Sequence, residues 1–574
     1  MPAPPEHSFT RSLFFGSIEE GFVFPWPDVA PTEIGAIHPL LDKVRRFFEA
    51  RVDSAEIDRQ ATLPAEVVEG LRGLGCFGLL VPKAHGGLGL GVTGYARVLQ
   101  EIAGLDPAVA LTLGAHQMNG ARALMLFGTE AQQLRYLPRL ATGEMVAAFA
   151  LAEPGAGSDA GEMQARAEPQ ADGSFVLSGT KSWVTNGALA DLFVVFARTS
   201  VAEEGVKPRI TAFLVERGPG VTTGSNEHKL GVRGASTTQL AMHGVRLTAE
   251  SLLCEVGRGF KVAVQVMDGV RIGLASSCLG ICRRVIKLTV ERCRERRAFG
   301  RPIGEFGFIK DKVAEMMAET WILECMTYLT TSLVDSGASD HSVESAICKV
   351  YGSETCWRIV NRAVDIAAGL GYSAAHPYER MLRDARAFMV YEGTNEILRA
   401  FIALSGMQGP GRELEDVAKA MREPIKGFGL LSDFALRKAK EVLGRPRMTR
   451  HAGVLNREAV VFEEYVAELA RASDKILRKH GRDIAEMQFT QKRTADMAIE
   501  LYGIAACIAR TTRAVERRGE EGARRELDLT SIAVAAAERR LARLVAEVDK
   551  NDDELRKAIA SRAYVDGGYP LDIL

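Results

Sequence analysis

The hydrophobic period changes twice along this 574-residue chain, and that double change limits the fold more than any other feature. From about 36 to 145, apolar residues recur at spacings of three and four, as in HPLLDKVRRFFEARV, AEVVEGLRGLG and AQQLRYLPRLATG, which predicts helices. From 146 to 257 that spacing gives way to short runs rich in β-branched and aromatic residues. DGSFVLSGTKSWVTNG, DLFVVFART and PRITAFLVERG are bounded by Gly, Asn and Asp and read as strands of a compact β domain. Beyond 258 the helical period returns, with runs such as KDKVAEMMAETWILECMTYLTTSLVDSG that suit bundle helices. The expected fold class is mainly α with a central β domain. Its parts are a leader over 1–35, a helical domain over 36–145, the β domain over 146–257 and a helical bundle over 258–410. A linker over 411–430, after the Gly/Pro-punctuated SGMQGPGRE, then leads to a C-terminal helical extension over 431–574.

Composition narrows the function classes. Hydrophobic residues make up 47% and charged residues 25%, and 72 Lys and Arg face 73 Asp and Glu, so neither a disordered polyelectrolyte nor a basic nucleic-acid binder fits. Nine cysteines without a CxxC pair suggest a reducing compartment, and Cys278 and Cys282, four apart on a helix, read as core residues rather than ligands; no metal is assigned. MPAPPEHSFT lacks the basic and apolar regions of a signal peptide, so the expected location is cytoplasmic. Residues 431–450 hold six Lys or Arg (Arg437, Lys438, Lys440, Arg445, Arg447, Arg450) against Asp433 and Glu441. Such a stretch is either a solvated face or a peripheral contact with the inner face of a membrane.

Three segments could carry chemistry. GLGVTG, over 89–94, matches GxGxxG but runs into helix rather than a βαβ unit, so it reads as an interhelical turn. The first candidate is FALAEPGAGSDAG, over 149–161, where Gly155 and Gly157 let the backbone approach a phosphate beside Ser158; an ordinary Gly-rich loop would look the same. Next, Trp183, Val184 and Thr185 end a strand before the Asn186-Gly187 turn and could offer an aromatic plane and a hydroxyl to a flat heterocycle, with a core Trp as the alternative. Last, Glu392 follows an apolar aromatic stretch and precedes Gly393 and Thr394. A carboxylate at such a junction is a candidate general base, although this piece alone favours an exposed surface Glu.

Taken together, AEPGAGSD, GTKSWVTNG, RRAFGRPIGEF, AAGLGY and YEGTNEILR occur in the order and approximate spacing of acyl-CoA dehydrogenases, flavoenzymes of fatty-acid oxidation, and the chain resembles that family over nearly its whole length. The region beyond 431, with EMQFTQKRTADMAIELYG, is similar to the extension of the very-long-chain branch.

The resemblance implies FAD between the β domain and the bundle. Phe149, Leu151, Ala152, Gly157 and Ser158 would line it, Trp183 and Thr185 would cover its ring, and Val184 would be a further cofactor contact. Thr394, Asn395 and Glu396 would hold it near the base, while Arg296, Asp365 and Gly369 would reach the FAD of a second subunit in a homodimer. Glu392 matches the catalytic base, and Val270, where some relatives carry theirs, cannot accept a proton. Ser158, Asp268, Arg271, Tyr391 and Gly393 would contact the acyl-CoA, and Gly114 and Ala115 leave room at the pocket floor for a long chain.

The implied activity is α,β-dehydrogenation of long-chain acyl-CoA thioesters to trans-2-enoyl-CoA, with electrons passed to an electron-transfer flavoprotein. Two alternatives remain at this point: an acyl-CoA oxidase using O₂, and a low-activity scaffold for assembly of a respiratory complex. Three positions depart from the family pattern. Ala152 stands where most members have Thr, Asp365 replaces a Gln, and Ala368 replaces the first of two glycines.

Overall fold

The computed structural model describes residues 8–199, 209–422 and 446–572. The chain divides into two compact units, one running from Trp26 to Leu398 and the other combining His7–Pro25 with Arg399–Leu574.

In the first unit, helices α1 (Pro31–Arg51), α2 (Val92–Leu105), α3 (Pro107–Gly114) and α4 (Glu130–Thr142) precede the sheet. Their starts follow from local chemistry. The Asp106 carboxylate accepts from the Ala108 and Val109 N–H groups, with Pro107 at the first helical position, and Thr129 and Gln132 form a capping box on α4. Between α3 and α4, residues Ala115–Ala121 form a π-helical segment.

The sheet contains β1 (Ala147–Ala150), β2 (Arg166–Pro169), β3 (Phe175–Thr185), β4 (Leu192–Arg198), β5 (Ile210–Glu216), β6 (Val221–Thr223), β7 (Thr237–Leu247) and β8 (Leu252–Leu253). Its order is β6-β7-β3-β2-β4-β5-β8, with β1 parallel to β4. Strands β4 and β5 are buried on both faces, which explains their nearly unbroken apolar sequences. Phe193, Val195, Phe213 and Val215 join the core inside the β domain, while Leu192, Val194, Phe196 and Leu214 join the core shared with the helices. The two-residue period of a strand thus serves two cores from one segment.

The bundle comprises α5 (Gly259–Glu295), α6 (Gly307–Asp335), α7 (Ser342–Ala367) and α8 (Pro377–Ala387). Helix α5 is long and apolar enough to cross a membrane by length and composition, but most of that stretch is buried inside the protein and it serves as the bundle's central helix. It approaches α2 closely: a Cβ on Gly280 would lie 2.0 Å from the Gln100 carbonyl oxygen, so only glycine fits there.

The second unit holds most of α9 (Asn395–Arg422), then α10 (Asn456–His480), α11 (Gln488–Gly522), α12 (Arg524–Asp549) and α13 (Asp553–Asp566). Two expectations change here. Residues 411–422, expected as linker, continue α9 as helix, while 423–430 lie outside the described residues. The expected leader is a structural part of this unit: Phe9 is fully buried with its ring 6.2 Å from that of Tyr502, and the Glu20 carboxylate accepts from the Thr449 and Arg450 N–H groups. Of the basic stretch, Arg437, Lys438, Lys440 and Arg445 lie outside the described residues, whereas the Arg450 guanidinium donates to the Phe24 carbonyl.

Candidate active site

A pocket with about 380 Å³ of empty volume, part of it open to solvent, lies between α2, α3, the π-helical segment and α5, and is closed by Phe388, Tyr391 and Glu392. Its walls are largely apolar, with Leu99, Leu111, Met118, Val270 and Leu274 among them. The expected floor residues Gly114 and Ala115 do line it, but the Tyr95 hydroxyl fills part of the space they leave. A Cβ on Gly114 would sit 3.7 Å from that oxygen, and one on Gly273 3.3 Å. Tyr95 is fully buried and its hydroxyl has no partner among the described residues.

Glu392 enters the pocket from the turn between α8 and α9. Its φ is +61°, a left-handed conformation costing on the order of 1–3 kcal/mol for a residue with a side chain, and Gly393 follows at φ +91°. The surrounding hydrogen bonds hold this turn. Lys349, fully buried on α7, donates from Nζ to the Gly393 carbonyl (2.7 Å) and to Asn395 Oδ1 (2.9 Å). Asn395 Nδ2 donates to Ser353 Oγ (3.0 Å) and Glu354 Oε1 (3.1 Å), and Thr394 Oγ1 accepts from the Ile397 N–H.

The electrostatics suit a base that works away from water. Burial raises the Glu392 pKa above the ordinary carboxylate value, opposed by a hydrogen bond from Asn119 Nδ2 (3.3 Å) and by the charges of Arg271 and Lys349. Burial lowers the Lys349 ammonium to about 8. Arg271 donates to Asp268 Oδ1 at 3.0 Å, yet burial still raises the Asp268 carboxyl to about 6. Val270 lines the pocket beside this pair and offers no proton acceptor.

The other expected residues form a second group along the sheet. Trp183, two residues before the end of β3, has φ +57° and 62% of its surface exposed, an aromatic plane left uncovered. The loop facing it is built around a buried ion pair: Lys181 Nζ donates to Glu153 Oε1 (2.7 Å) and to the Leu151 carbonyl (3.1 Å), and Glu153 also accepts from the Gln164 and Ala165 N–H groups. The Ala152 carbonyl accepts from the Ser182 N–H, so the loop is fixed to β3. Gly155 and Gly157 face open space, Ser158 is exposed, and Phe149 packs 4.8 Å from Phe196 on β1 and β4.

Two expected contacts are corrected. Val184 is buried in the β-domain core, which leaves only its backbone to meet a cofactor. The Asn395 amide is buried and engaged by Lys349, Ser353 and Glu354, so it braces the turn and has no free donor or acceptor for a cofactor. Glu396 is exposed in the first turn of α9.

Arg296 and the 365–369 stretch lie apart from the pocket, at exposed helix ends. Asp365 pairs with Lys312 at 2.7 Å, which balances the carboxylate that replaces the expected amide. Ala368 adopts φ +54° and ψ −132°, a glycine conformation occupied by alanine.

Sequence reasoning missed Lys349, Asn119 and Tyr95. Lys349 carried a signal, since it sits inside the apolar run SAICKVYG where a helix-facing lysine needs a buried partner.

Residues 38–144, 148–245 and 257–407 match the N-terminal, middle and C-terminal domains of acyl-CoA dehydrogenases, and 454–568 match the ACAD9/ACADV C-terminal domain. The mitochondrial very long-chain specific acyl-CoA dehydrogenase of Homo sapiens is 36% identical, over 98% of this chain and 89% of that protein. A crystal structure of an acyl-CoA dehydrogenase complexed with FAD from Bacillus anthracis aligns with a TM-score of 0.80 at 27% identity, covering 98% of this chain and 96% of that one. Butyryl-CoA dehydrogenase from Megasphaera elsdenii aligns at 0.63 with 33% identity, over 66% of this chain and 99% of its own. Likeness across all three catalytic domains and the C-terminal extension leaves one assignment: the chain belongs to the acyl-CoA dehydrogenase family.

Proposed function

We propose that this protein is an FAD-dependent acyl-CoA dehydrogenase that converts long-chain acyl-CoA thioesters to trans-2-enoyl-CoA. The observation that carries the reading is a carboxyl group, Glu392, enclosed at the end of a largely apolar pocket with its pKa raised by burial. Residues along the sheet fit a flavin dinucleotide. Trp183 offers an uncovered ring, the 155–158 loop leaves open space for phosphates, and the buried Ser182 Oγ has no partner among the described residues.

FAD, when bound, supplies the acceptor for the hydrogen and electron pair leaving the acyl β-carbon. Glu392 takes the α-proton. A free carboxylate is too weak a base for that proton, so the site must stabilise the developing enolate, for which the Glu392 backbone N–H is the expected donor. The apolar walls exclude water when an acyl chain fills them, which raises the basicity of Glu392 further. Arg271, close enough to influence Glu392, adds positive charge at the expected thioester end.

Electrons would leave to an electron-transfer flavoprotein; rapid peroxide formation in air with acyl-CoA alone would instead favour an oxidase. The Lys312 partner of Asp365 removes one reason to read the chain as a scaffold. A homodimer is proposed because Phe299, Phe308 and Tyr372, exposed by 95%, 89% and 87%, surround the helix ends that carry Arg296, Asp365 and Gly369. Sedimentation of the FAD-loaded chain at twice the monomer mass would agree. A cytoplasmic location with peripheral contact to the inner membrane face rests on the charge of residues 431–450, and flotation with anionic vesicles that fails for a neutralised 431–450 variant would agree.

The deciding experiment is anaerobic titration with palmitoyl-CoA. Wild type should bleach its flavin, and Glu392→Gln should keep FAD and ligand while losing about 10²- to 10⁴-fold in bleaching rate. Equal bleaching by both would overturn the assignment of the base.

A further inference from the structure

The π-helical segment Ala115–Ala121 is buried at every residue and carries three polar side chains. Two of them hold the segment in place. His116 bridges Leu140 O through Nε2 (3.0 Å) and the Ala147 N–H through Nδ1 (3.0 Å), and Gln117 donates to Cys76 O (2.9 Å) and accepts from the Leu80 N–H (3.1 Å). Gly120 lies so near β1 that a Cβ would come within 2.2 Å of the Ala147 side chain. The backbone beneath the third, Asn119, is therefore rigid.

Asn119 serves no such purpose. It is 6% exposed in the pocket wall, its Nδ2 donates to Glu392 Oε1 at 3.3 Å, and its Oδ1 has no partner among the described residues. A side chain kept only to fill space would be apolar here, as Met118 and Ala121 are, because a buried amide with one unmet acceptor is unfavourable. The extra residue per turn in a π segment turns a chosen side chain out of helical register, which is how such segments come to sit at working sites.

We propose that Asn119 is a positioning residue for proton transfer, its amide serving the Glu392 carboxyl in both protonation states. Nδ2–H donates to the carboxylate before reaction and fixes the direction of its lone pairs. When the α C–H bond breaks and the proton moves to Glu392, the new acid O–H finds an acceptor in Asn119 Oδ1. The amide gains and loses no proton itself. The inference rests on Glu392 being the base. Other charged and titratable groups near Glu392 are Arg271, with Asp268, from α5, Lys349 from α7 and Tyr391 on its own turn. Arg271 and Lys349 act through charge whatever the carboxyl orientation, whereas Asn119 alone is recorded with a side-chain hydrogen bond to it among the described residues.

The test uses the FAD-loaded full chain and two variants, Asn119→Leu and Asn119→Asp. The carboxyl stretch that Glu392→Gln removes is titrated by infrared difference spectroscopy, and the pH profile of single-turnover flavin bleaching by palmitoyl-CoA is recorded alongside. The charge-assisted bond from Nδ2 to the carboxylate is about twice as strong as the neutral bond from the acid to Oδ1, so losing the amide raises the Glu392 pKa, and in Asn119→Leu both the infrared midpoint and the acid limb should move up by about one pH unit. Asn119→Asp, similar in shape but bringing a second carboxyl, should move them further the same way. Profiles overlaying wild type in a variant that retains FAD would overturn the inference, and Asn119→Asp decides if the leucine variant does not fold. Undiminished bleaching by Glu392→Gln would instead overturn the base assignment and be recognisable as that separate failure.

Discussion

Two lysines are fully buried among the described residues, and the contrast between them separates what holds the site from what works in it. Lys181 and Lys349 each donate to a loop carbonyl beside the site, Leu151 O and Gly393 O respectively. Lys181 also meets the carboxylate of Glu153, whereas the second contact of Lys349 is the neutral amide of Asn395. A buried charge with a charged partner is a fixed structural link. One with only neutral direct contacts is poised to lose its proton, and burial brings Lys349 down to about 8 while it still influences Glu392.

The largest effect should come from Lys181→Met, which leaves the Glu153 carboxyl buried and unpaired and should cost about 3–5 kcal/mol in urea denaturation. A cost under about 1 kcal/mol would erase the contrast. Lys349→Met strands two neutral acceptors and should cost about 2–3 kcal/mol.

The pH responses should differ as well. Burial pushes the Glu153 carboxyl up, but Lys181 and two backbone N–H groups more than offset this and leave it below its usual value. Its contribution is therefore present above the ordinary carboxylate range and lost as pH falls through its folded value, so the stability gap between wild type and Glu153→Gln should narrow in acid. Lys349 responds in the same direction but in an alkaline window. Between about 8 and the ordinary lysine value of 10.5 the unfolded chain holds a proton that the folded chain has released, so wild type should gain on Lys349→Met as pH rises through that window.

Smaller effects concern backbone strain and an uncovered ring. Ala368→Gly should stabilise by about 1 kcal/mol, because glycine adopts positive φ without the Cβ clash. Trp183→Ala should change thermal stability of the FAD-free chain by only about 0.5 kcal/mol while weakening FAD retention, since its ring is mostly uncovered.

How far the sequence revealed this arrangement depends on what each signal measures. The β domain was legible because β4 and β5 are apolar along their whole length, and the Glu392 turn because Gly393 and Thr394 interrupt an apolar run. The supposed break at SGMQGPGRE was misleading. Gly406 and Gly409 are small because the rings of Phe14 and Phe15 lie where their Cβ atoms would be, at 2.3 Å in each case, so these glycines serve packing within a continuing helix. Local sequence cannot distinguish a glycine that ends a helix from one that admits a ring from nearly 400 positions earlier. The role of Asn119 was hidden for a related reason: a π turn has nearly the same apolar spacing as the α-helix around it, and the carboxylate it meets is 273 residues away.

The stitching of residues 7–25 into the C-terminal unit bears on how the chain is made. Phe9 and Phe22 pack on one another, but Tyr502, which also packs on Phe9, leaves the ribosome nearly 500 residues after them. At about 5–20 residues per second, that greasy segment waits roughly half a minute or longer for the partner that completes its burial. Newly made chains should therefore pass through a stage in which a holdase is most needed at this segment, and variants that slow translation beyond residue 400 should aggregate through it first.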